Sequence, residues 1–264
     1  MVRKFVQRVT ATGADDNTSI RDLEQLQELY PFAEFGILLS ESQAGGPRFP
    51  SSMWVQKLSE YQQSIVGTKL TLSAHLCGRW VRDICAGEDE FFKFAWPSRY
   101  WKIFQRIQLN FHGYTHLIAN HKDFIEVLKK FEGRQIIFQC DNVNDGLVEE
   151  AQGEGIDVAA FHDTSGGGGI LPEKWPPPIT NYTGYAGGLC PDNVCEELER
   201  ISAVVPENQV IWIDAEGRLR RNVLAQNVFH IPLVANFFNM SEPFVTPEGK
   251  EPNFFITPGT YRSP

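Results

Sequence analysis

The sequence predicts a (βα)8 barrel, also called a TIM barrel, formed by a single α/β domain. Three observations predict this fold. Apolar, strand-like runs recur at intervals of about 25 to 35 residues, amphipathic stretches lie between them, and eight such runs can be recognised. Runs that are apolar on both faces are typical of parallel strands, and eight parallel strands close this barrel. An open, doubly wound sheet is the alternative, but no GxGxxG motif follows the first run, which weakens a dinucleotide-binding fold.

The predicted strands follow one another from the N-terminus to residue 214. They are KFVQRVT (4–10), AEFGILLS (33–40), KLTLSAHL (69–76), RIQLNFH (106–112), RQIIFQCD (134–141), DVAAFHD (157–163), NYTGYA (181–186) and QVIWID (209–214). Amphipathic helices are predicted at 19–30, 121–133 and 192–204. Ser19 is a plausible cap for the first of these helices, and Gly133 a plausible stop for the second.

The domain organisation predicted from this pattern is a barrel over residues 1–226 and an extension over residues 227–264. The extension is rich in proline and phenylalanine, and no linker-like segment separates it from the barrel. We expect it to pack against the outside or the bottom of the barrel. An arm that contacts another subunit of a homodimer is the alternative.

Composition limits the classes of function. Of the 264 residues, 42% are hydrophobic and 22% are charged, as in an ordinary globular protein. The net charge of −9 argues against nucleic-acid binding, which needs a basic surface. No apolar run reaches the length of a membrane span. The five cysteines have no paired spacing and no signal-peptide start is visible, so we expect reduced thiols and a cytoplasmic location.

Three glycine-bearing turns each follow a predicted strand directly. They are TSGGGG (164–169), GGLCPDNV (187–194) and AEGRLR (215–220). Glycine allows the backbone to approach a ligand closely, and consecutive free N–H groups form a concave binding site for anions. A helix that begins just after such a turn adds the positive end of its dipole. The turns therefore predict a phosphate site and a phosphorylated small molecule as the ligand.

Side chains able to carry chemistry also follow the predicted strands, at the end of the barrel where active sites of this fold lie. They are Thr10, Arg48 in the second loop, His75, His112, Asp141, Asp163 and Asp214. His112 and His116 are four residues apart, but zinc requires four well-placed ligands and no further pair has a suitable spacing. We therefore predict no metal site.

The motifs at the last three strand ends resemble those of phosphoribosylanthranilate isomerases. FHDTSGGGG followed by KW, YAGGLCPDNV and IDAEG are similar to the sixth, seventh and eighth strand ends of that family. RIQLNFHG (106–113) is similar to its fourth strand end, and SESQAGGPRF (40–49) to its second loop. The resemblance is strong over residues 157–217 and weak elsewhere.

The resemblance implies a cofactor-free isomerisation of an aldose derivative to a ketose derivative. A general acid protonates the ring oxygen of a phosphoribosyl amine, and a general base removes a carbon-bound proton. By similarity, Asp163 is the acid and Arg48 lies near the carboxylate-bearing end of the substrate. The resemblance places the phosphate on the backbone of the glycine turns, at Gly168, Gly187, Gly188, Ala215, Glu216 and Gly217.

The first strand departs from the pattern of the family. The family's base is a cysteine in a K-x-C-G motif, whereas this strand runs into TATG (10–13) and no cysteine precedes Cys77. A threonine hydroxyl cannot replace a thiolate, because its pKa is far too high. The residues that could supply a base instead are Asp15, Asp16, His75, His112 and Asp141. Of these we predict His112 and Asp141 as catalytic, and His75 as a substrate-binding residue.

Two other functions remain open from the sequence. One is a different sugar-phosphate enzyme on the same barrel, such as a lyase or an aldolase. Imine chemistry is disfavoured because it needs a lysine at a strand end, and none of the predicted strands ends in lysine. The other is a non-catalytic protein that binds a phosphorylated metabolite and has lost the base.

Overall fold

Eight parallel strands close into a barrel in the order of the chain, β1 to β8. The computed structural model describes residues 2–64, 69–93, 97–111, 115–140, 145–163, 166 and 168–250. The strands are β1 (Val6–Thr12), β2 (Ala33–Leu39), β3 (Leu72–Leu76), β4 (Arg106–Leu109), β5 (Gln135–Cys140), β6 (Val158–His162), β7 (Tyr182–Tyr185) and β8 (Val210–Ala215). The predicted (βα)8 barrel is confirmed, and the open sheet is excluded because β1 pairs with β8.

The helices surround the barrel. They are α1 (Ile20–Leu29), α2 (Ser52–Gln63), α3 (Arg79–Cys85), α4 (Glu90–Lys93), α5 (Pro97–Tyr100), α6 (His121–Lys129), α7 (Asp145–Gly153), α8 (Val194–Ser202) and α9 (Ile231–Ser241). Short 3₁₀ turns lie at Trp101–Ile103, Thr115–Leu117, Gly217–Leu219, Glu242–Phe244 and Glu248–Lys250. Within the described residues, the connection from β6 to β7 contains no helix. None of the helices in these ranges combines the length and apolar character that crossing a bilayer requires.

Local sequence signals account for the start of helix α6. The side chain of Asn120 accepts hydrogen bonds from the backbone N–H groups of Lys122 and Asp123, which have no partner inside the first turn. The helix buries Phe124, Ile125, Val127 and Leu128 against the barrel. Ser19, by contrast, has extended backbone before α1 but makes no capping hydrogen bond with its side chain.

A two-stranded hairpin separates the barrel's last strand from its last helix. Strands β9 (Arg220–Val223) and β10 (Gln226–Phe229) pair antiparallel, and helix α9 follows them. Phe238 of α9 packs edge-on against Phe32 and Phe35, so this helix covers β2 and the turn before it. The predicted boundary at residue 226 falls at the start of β10 and stays a prediction. Residues 251–264 lie outside the described part of the chain.

The bottom of the barrel is closed by residues that are distant in sequence. The N–H of Phe5 donates to the carbonyl of Phe244, and the carbonyl of Phe5 accepts from the N–H of Ile211. The N–H of Thr246 donates to the carbonyl of Val6 at 2.8 Å. The first strand is therefore held by backbone hydrogen bonds from segments more than two hundred residues later.

The interior of the barrel contains a buried ion pair beneath the mouth. Arg106 Nη2 lies 2.6 Å from Glu34 Oε1, and both side chains are almost fully buried. Thr10 donates a further hydrogen bond of 2.9 Å to Glu34, and the Arg106 guanidinium lies 4.4 Å from the ring centre of Trp212. This arrangement satisfies charges that would otherwise be costly to bury.

Two glycines within strands provide space for neighbouring side chains. A Cβ on Gly36 would lie 2.1 Å from Thr12 Oγ1 and 2.9 Å from the His75 ring. A Cβ on Gly184 would lie 2.2 Å from Trp212 and 2.7 Å from Phe161. Glycine at these two positions therefore lets β1 and β3, and likewise β6 and β8, bring their side chains together inside the barrel.

Candidate active site

A cavity of about 510 Å³ opens at the carboxyl ends of the strands. Active sites of (βα)8 barrels lie at this face because the loops after the strands converge there. The predicted site residues that line it are Arg48, His75, Asp163, Gly168, Gly187, Gly188, Ala215, Glu216 and Gly217. The predicted catalytic residues His112 and Asp141 lie outside the described residues.

The glycine turns after β7 and β8 border the same cavity. Gly187 and Gly188 have φ angles of 118° and 68°, which L side chains rarely adopt. Asn193 fixes their turn, because its side chain donates to the carbonyl of Gly188 and accepts from the N–H of Cys190. The N–H groups of Gly187, Gly188 and Gly217 donate no hydrogen bond to any other described residue. Such unused N–H groups at a cavity are suited to binding an anion.

The carboxyl group of Asp214 lies at the end of β8, only 6% exposed. Burial raises its pKa well above the ordinary value, and the charges of Glu216, Glu34 and Asp163 raise it further. The hydroxyl of Thr12 acts in the opposite direction by donating a hydrogen bond of 2.7 Å to Oδ1. Burial and the three neighbouring charges prevail, so the site favours the protonated acid. Asp214 can therefore donate a proton.

Asp163 follows β6 and borders the same cavity. It is 6% exposed, and its Oδ2 accepts a hydrogen bond of 3.0 Å from Nε2 of Gln139. Its backbone carbonyl accepts from the N–H of Gly166, which begins the glycine loop. One strand end thus carries both a carboxylate at the cavity and the turn that leads towards Gly168.

Arg48 and Glu216 form an ion pair at the mouth, with Nη1 and Oε1 2.6 Å apart. Burial raises the pKa of Glu216, although Arg48 acts to lower it. Arg48 has a φ angle of 74°, and its N–H donates to Oδ2 of Asp15 at 2.9 Å. Asp15 also forms an ion pair with Arg220, whose Nη2 lies 2.6 Å from Oδ2 of Asp15. Both side chains of this pair are only 2% exposed. The loops after β1, β2 and β8 are therefore connected through Asp15.

Two of the acidic residues considered as bases have other partners. Asp15 is occupied by Arg220 and by backbone N–H groups, and Asp16 accepts from the backbone N–H of Ser51 at 2.6 Å. Neither carboxylate lines the cavity. Asp15 and Asp16 therefore order the loops around them and are not placed to act as the base.

His75 lies near the end of β3, Cys77 follows the strand directly, and both line the cavity. Burial lowers the pKa of His75 to about 3, and Arg106 acts in the same direction, so its imidazole is neutral. Nε2 of His75 lies 3.0 Å from the hydroxyl of Ser73. Burial raises the pKa of Cys77 to about 12, so its sulfur is a thiol. His75 is thus suited to hydrogen bonding with a ligand and poorly suited to accept a proton at neutral pH.

Sequence reasoning missed Cys77, Gln108, Asn110 and Gln139 in the cavity wall, and it did not assign Asp214 a catalytic role. The alternation of polar and apolar residues along a strand could have identified the amide side chains in the cavity wall. In β4, Arg106 and Gln108 are polar residues that alternate with Ile107 and Leu109, so they face the barrel interior. Among the described residues, no three histidine, cysteine or acidic side chains are arranged to hold a metal ion.

Comparison with known proteins identifies similar folds. No protein-family model matches the chain, and no curated protein matches it. A phosphoribosylanthranilate isomerase structure from Thermotoga maritima, of monomers generated from the dimeric enzyme, has a TM-score of 0.50 and 14% identity. That match covers 92% of this chain and 99% of the other. Phosphoribosyl anthranilate isomerase from Thermococcus kodakaraensis has a TM-score of 0.47 and 14% identity, with 89% and 98% covered. The chain is therefore similar in fold to phosphoribosylanthranilate isomerase.

Proposed function

We propose that this protein is a cofactor-free isomerase that converts a phosphorylated aldose derivative, such as a phosphoribosyl amine, into its ketose form. The observation that carries the proposal is the pairing of two carboxyl groups in one cavity. Asp214 favours its protonated form there, and Asp163, whose charge acts to raise the pKa of Asp214, borders the same cavity. An acid–base reaction needs a proton donor and a proton acceptor at one site, and these two carboxyl groups can supply both roles.

The proposed reaction begins with two proton transfers, one for each of these carboxyl groups. Asp214 gives its proton to the ring oxygen of the sugar, the bond from that oxygen to C1 breaks, and C1 forms an iminium with the amine nitrogen. Asp163 then takes the proton from C2, the electron pair of that C–H bond forms the double bond between C1 and C2, and the π pair of the C1=N bond returns to the nitrogen. Return of a proton to C1 and loss of the C2 hydroxyl proton yield the ketone. No atoms or electrons are gained or lost, so no redox partner is required.

This assignment gives Asp163 the role of base, whereas the resemblance implies the role of acid. The raised pKa of Asp214 supports the exchange, because a carboxyl group that favours its proton is the better acid. Thr12 would orient Asp214 and Gln139 would orient Asp163 through the hydrogen bonds described above. Thr12 immediately precedes Gly13, as the cysteine precedes glycine in the family motif.

The N–H groups of Gly187, Gly188 and Gly217, for which the described residues supply no acceptor, support a phosphate site at the ends of β7 and β8. Helix α8 begins seven residues after Gly187, so the positive end of its dipole also favours an anion near this turn. Glu216 immediately precedes Gly217, and its ion pair with Arg48 compensates its negative charge next to the proposed phosphate.

The test is exchange of the C2 proton with solvent, followed by NMR in D2O with ribose 5-phosphate and with phosphoribosyl amines that carry either an aromatic carboxylate or an aromatic carboxamide. We expect exchange by the wild-type protein, and a loss of about 100-fold or more in Asp163→Asn and in Asp214→Asn, the scale of acid–base catalysis. Glu207→Gln, at an exposed turn, is the matched control. A folded protein that binds phosphate but exchanges the C2 proton of none of these compounds would disprove the isomerase.

That last outcome would support the second candidate, a non-catalytic protein that binds a phosphorylated metabolite. The observation in its favour is Thr12, which replaces an ionisable cysteine by a hydroxyl engaged with Asp214. A binder would keep its affinity for ribose 5-phosphate in the Asp163→Asn variant, and this can be measured by titration calorimetry.

A further inference from the structure

The residues that line the cavity divide into a charged group and an uncharged group. The charged residues come from the ends of β6 and β8 and from the loops after β2 and β8, and they are Asp163, Asp214, Glu216, Arg48 and Arg218. The described residues that β3, β4 and β5 contribute, by contrast, carry no charge at neutral pH. Cys77 is a thiol and His75 a neutral imidazole, because burial moves the pKa of each away from neutrality. Together with Gln108, Asn110 and Gln139, these two residues form what we call the amide wall of the cavity.

Hydrogen bonds fix the orientation of the amide groups. Nε2 of Gln108 donates to Oδ1 of Asn110 at 2.8 Å, and Nδ2 of Asn110 in turn donates to the sulfur of Cys77 at 3.2 Å. Nε2 of Gln139 is directed to Asp163 instead. Each bond uses one N–H of its amide, so the planes of Gln108 and Asn110 are set before a ligand arrives.

Gln108 keeps hydrogen-bonding capacity that no described residue uses. Its side-chain oxygen has no donor among them, and its second N–H has no acceptor. The residue is nevertheless only 3% exposed, and it borders the cavity. A buried amide that lacks partners is unfavourable unless a ligand or a water molecule supplies them. A ligand group that both donates and accepts hydrogen bonds would supply partners for the oxygen and the second N–H of Gln108.

A carboxylate in the same place would be poorly accommodated. No cation is among the described residues of the amide wall. The arginines that border the cavity, Arg48 and Arg218, come from the loops after β2 and β8, and Arg48 is paired with Glu216 at 2.6 Å. A carboxylate accepts hydrogen bonds but donates none, so it would leave the oxygen of Gln108 without a donor. Sites built to hydrogen-bond a particular group discriminate strongly against analogues that leave their polar atoms unpaired.

We infer that the half of the substrate distant from the phosphate is uncharged and carries a group that donates and accepts hydrogen bonds, such as a carboxamide or a hydroxyl. This inference rests on the proposed function and names its substrate class. Gln108 is the residue that determines the specificity, and Asn110 positions it. An aromatic acid is the class of substituent that the amide wall would disfavour.

Two inert ligands of equal size test the inference. Reductive amination of ribose 5-phosphate with 2-aminobenzamide and with 2-aminobenzoate gives secondary amines that differ only in carboxamide against carboxylate. Ribitol 5-phosphate lacks the aromatic ring of these two ligands, so its affinity reports the binding of the phosphorylated sugar chain alone. We expect the carboxamide ligand to bind at least about tenfold more tightly than the carboxylate ligand by calorimetry, and more tightly than ribitol 5-phosphate.

Two variants locate the preference. Gln108→Met retains the size of the side chain and removes its donor and acceptor, so the ratio of the two affinities should fall towards one. Gln56→Met makes the same change on the exposed surface of α2 and should leave the ratio unchanged. Because the ligand pair is compared first on the wild-type protein, the result does not depend on whether Gln108→Met folds.

The possible failures are distinguishable. Equal or tighter binding of the carboxylate ligand would overturn the substrate class and leave the isomerase intact. If ribitol 5-phosphate binds and neither aromatic ligand does, the substrate class is likewise overturned and the isomerase remains intact. If none of the three phosphorylated ligands binds, the phosphate site itself is absent and the proposed function fails with it. A preference for the carboxamide that survives in Gln108→Met would remove the role of that residue.

Discussion

The hydroxyl of Thr12 donates a hydrogen bond of 2.7 Å to Oδ1 of Asp214, and so joins the first strand of the barrel to the last at the floor of the cavity. Thr12 is fully buried and contacts this carboxyl over the space that Gly36 leaves free. The contact determines how firmly Asp214 holds its proton, because the hydroxyl acts to lower a pKa that burial raises.

Replacing Thr12 by valine should move the pH profile of turnover. Without the hydroxyl, the pKa of Asp214 rises further, so the alkaline limb of kcat/KM should shift to higher pH. Thr12→Ser keeps the donor and should retain the wild-type profile. An alkaline limb that is identical in wild type and Thr12→Val would mean that the hydroxyl does not act on the catalytic acid.

Replacing Asp214 by asparagine should stabilise the fold at neutral pH while abolishing turnover. Because burial raises the pKa of Asp214 in the folded chain, the folded state keeps a proton that the unfolded chain releases. The wild-type group therefore destabilises the fold more and more as pH rises, up to the pKa of the folded state. The melting temperature of Asp214→Asn should exceed that of the wild type by a margin that grows between about pH 4 and about pH 7. A constant margin would contradict the raised pKa.

Removing Arg106 should destabilise the protein severely. Burial acts to raise the pKa of Glu34, yet Arg106 outweighs it and lowers that pKa, so the partner remains ionised inside the barrel. Arg106→Met leaves this charge without compensation, and we expect a loss of about 3–5 kcal/mol in the free energy of unfolding. Adding Glu34→Gln should recover part of the loss in a denaturant titration. A double variant less stable than the single one would show that the pair is not the cause.

Correcting the turn of the hairpin should raise stability. Leu224 and Ala225 have φ angles of 48° and 66° and connect paired residues Val223 and Gln226. A two-residue turn of this type favours Asn-Gly, because both positions need positive φ. Leu224→Asn with Ala225→Gly should stabilise the fold by about 1 kcal/mol, measured by denaturant unfolding. An unchanged midpoint would show that the strain is relieved elsewhere.

Replacing Gly188 by alanine should weaken phosphate binding. A Cβ at this position would lie 2.9 Å from the carbonyl oxygen of Gly169 and 3.0 Å from the N–H nitrogen of Leu171, so the turn has to shift. We expect at least about a tenfold loss of affinity for ribose 5-phosphate, the scale of one lost charge-assisted hydrogen bond. Gly133→Ala has a similar φ of 67° with no heavy atom nearby, and controls for backbone strain alone. Equal losses in both variants would contradict a local role for Gly188.

Sequence periodicity predicted the barrel because parallel strands that are buried on both faces leave a simple signal. Strand β7 was expected at 181–186 and runs over Tyr182–Tyr185, and the glycine turns were correctly placed after the strands. The hairpin after β8 was missed. Its turn consists of Leu224 and Ala225, so neither residue carries the glycine or asparagine signal by which such turns are recognised.

The chemistry of the site was less accessible from sequence, because it depends on contacts between distant strands. The raised pKa of Asp214 results from burial together with Glu216, Glu34 and Asp163, which come from three separate parts of the barrel. The neutral state of His75 likewise reflects its burial and Arg106 on the neighbouring strand. Residue order alone shows that such groups follow strands, and their protonation follows only once the strands have been arranged in a ring.

The dependence of the first strand on Phe244 and Ile211 has a consequence for how the protein is made. During synthesis on the ribosome, β1 emerges early but has no partner for one of its edges until β8 has followed. An apolar edge that waits for so many residues is open to association with other nascent chains. Contacts at such long range also slow folding. Slower translation lengthens this exposure and should lower the soluble yield of the barrel, whereas added chaperones should raise it.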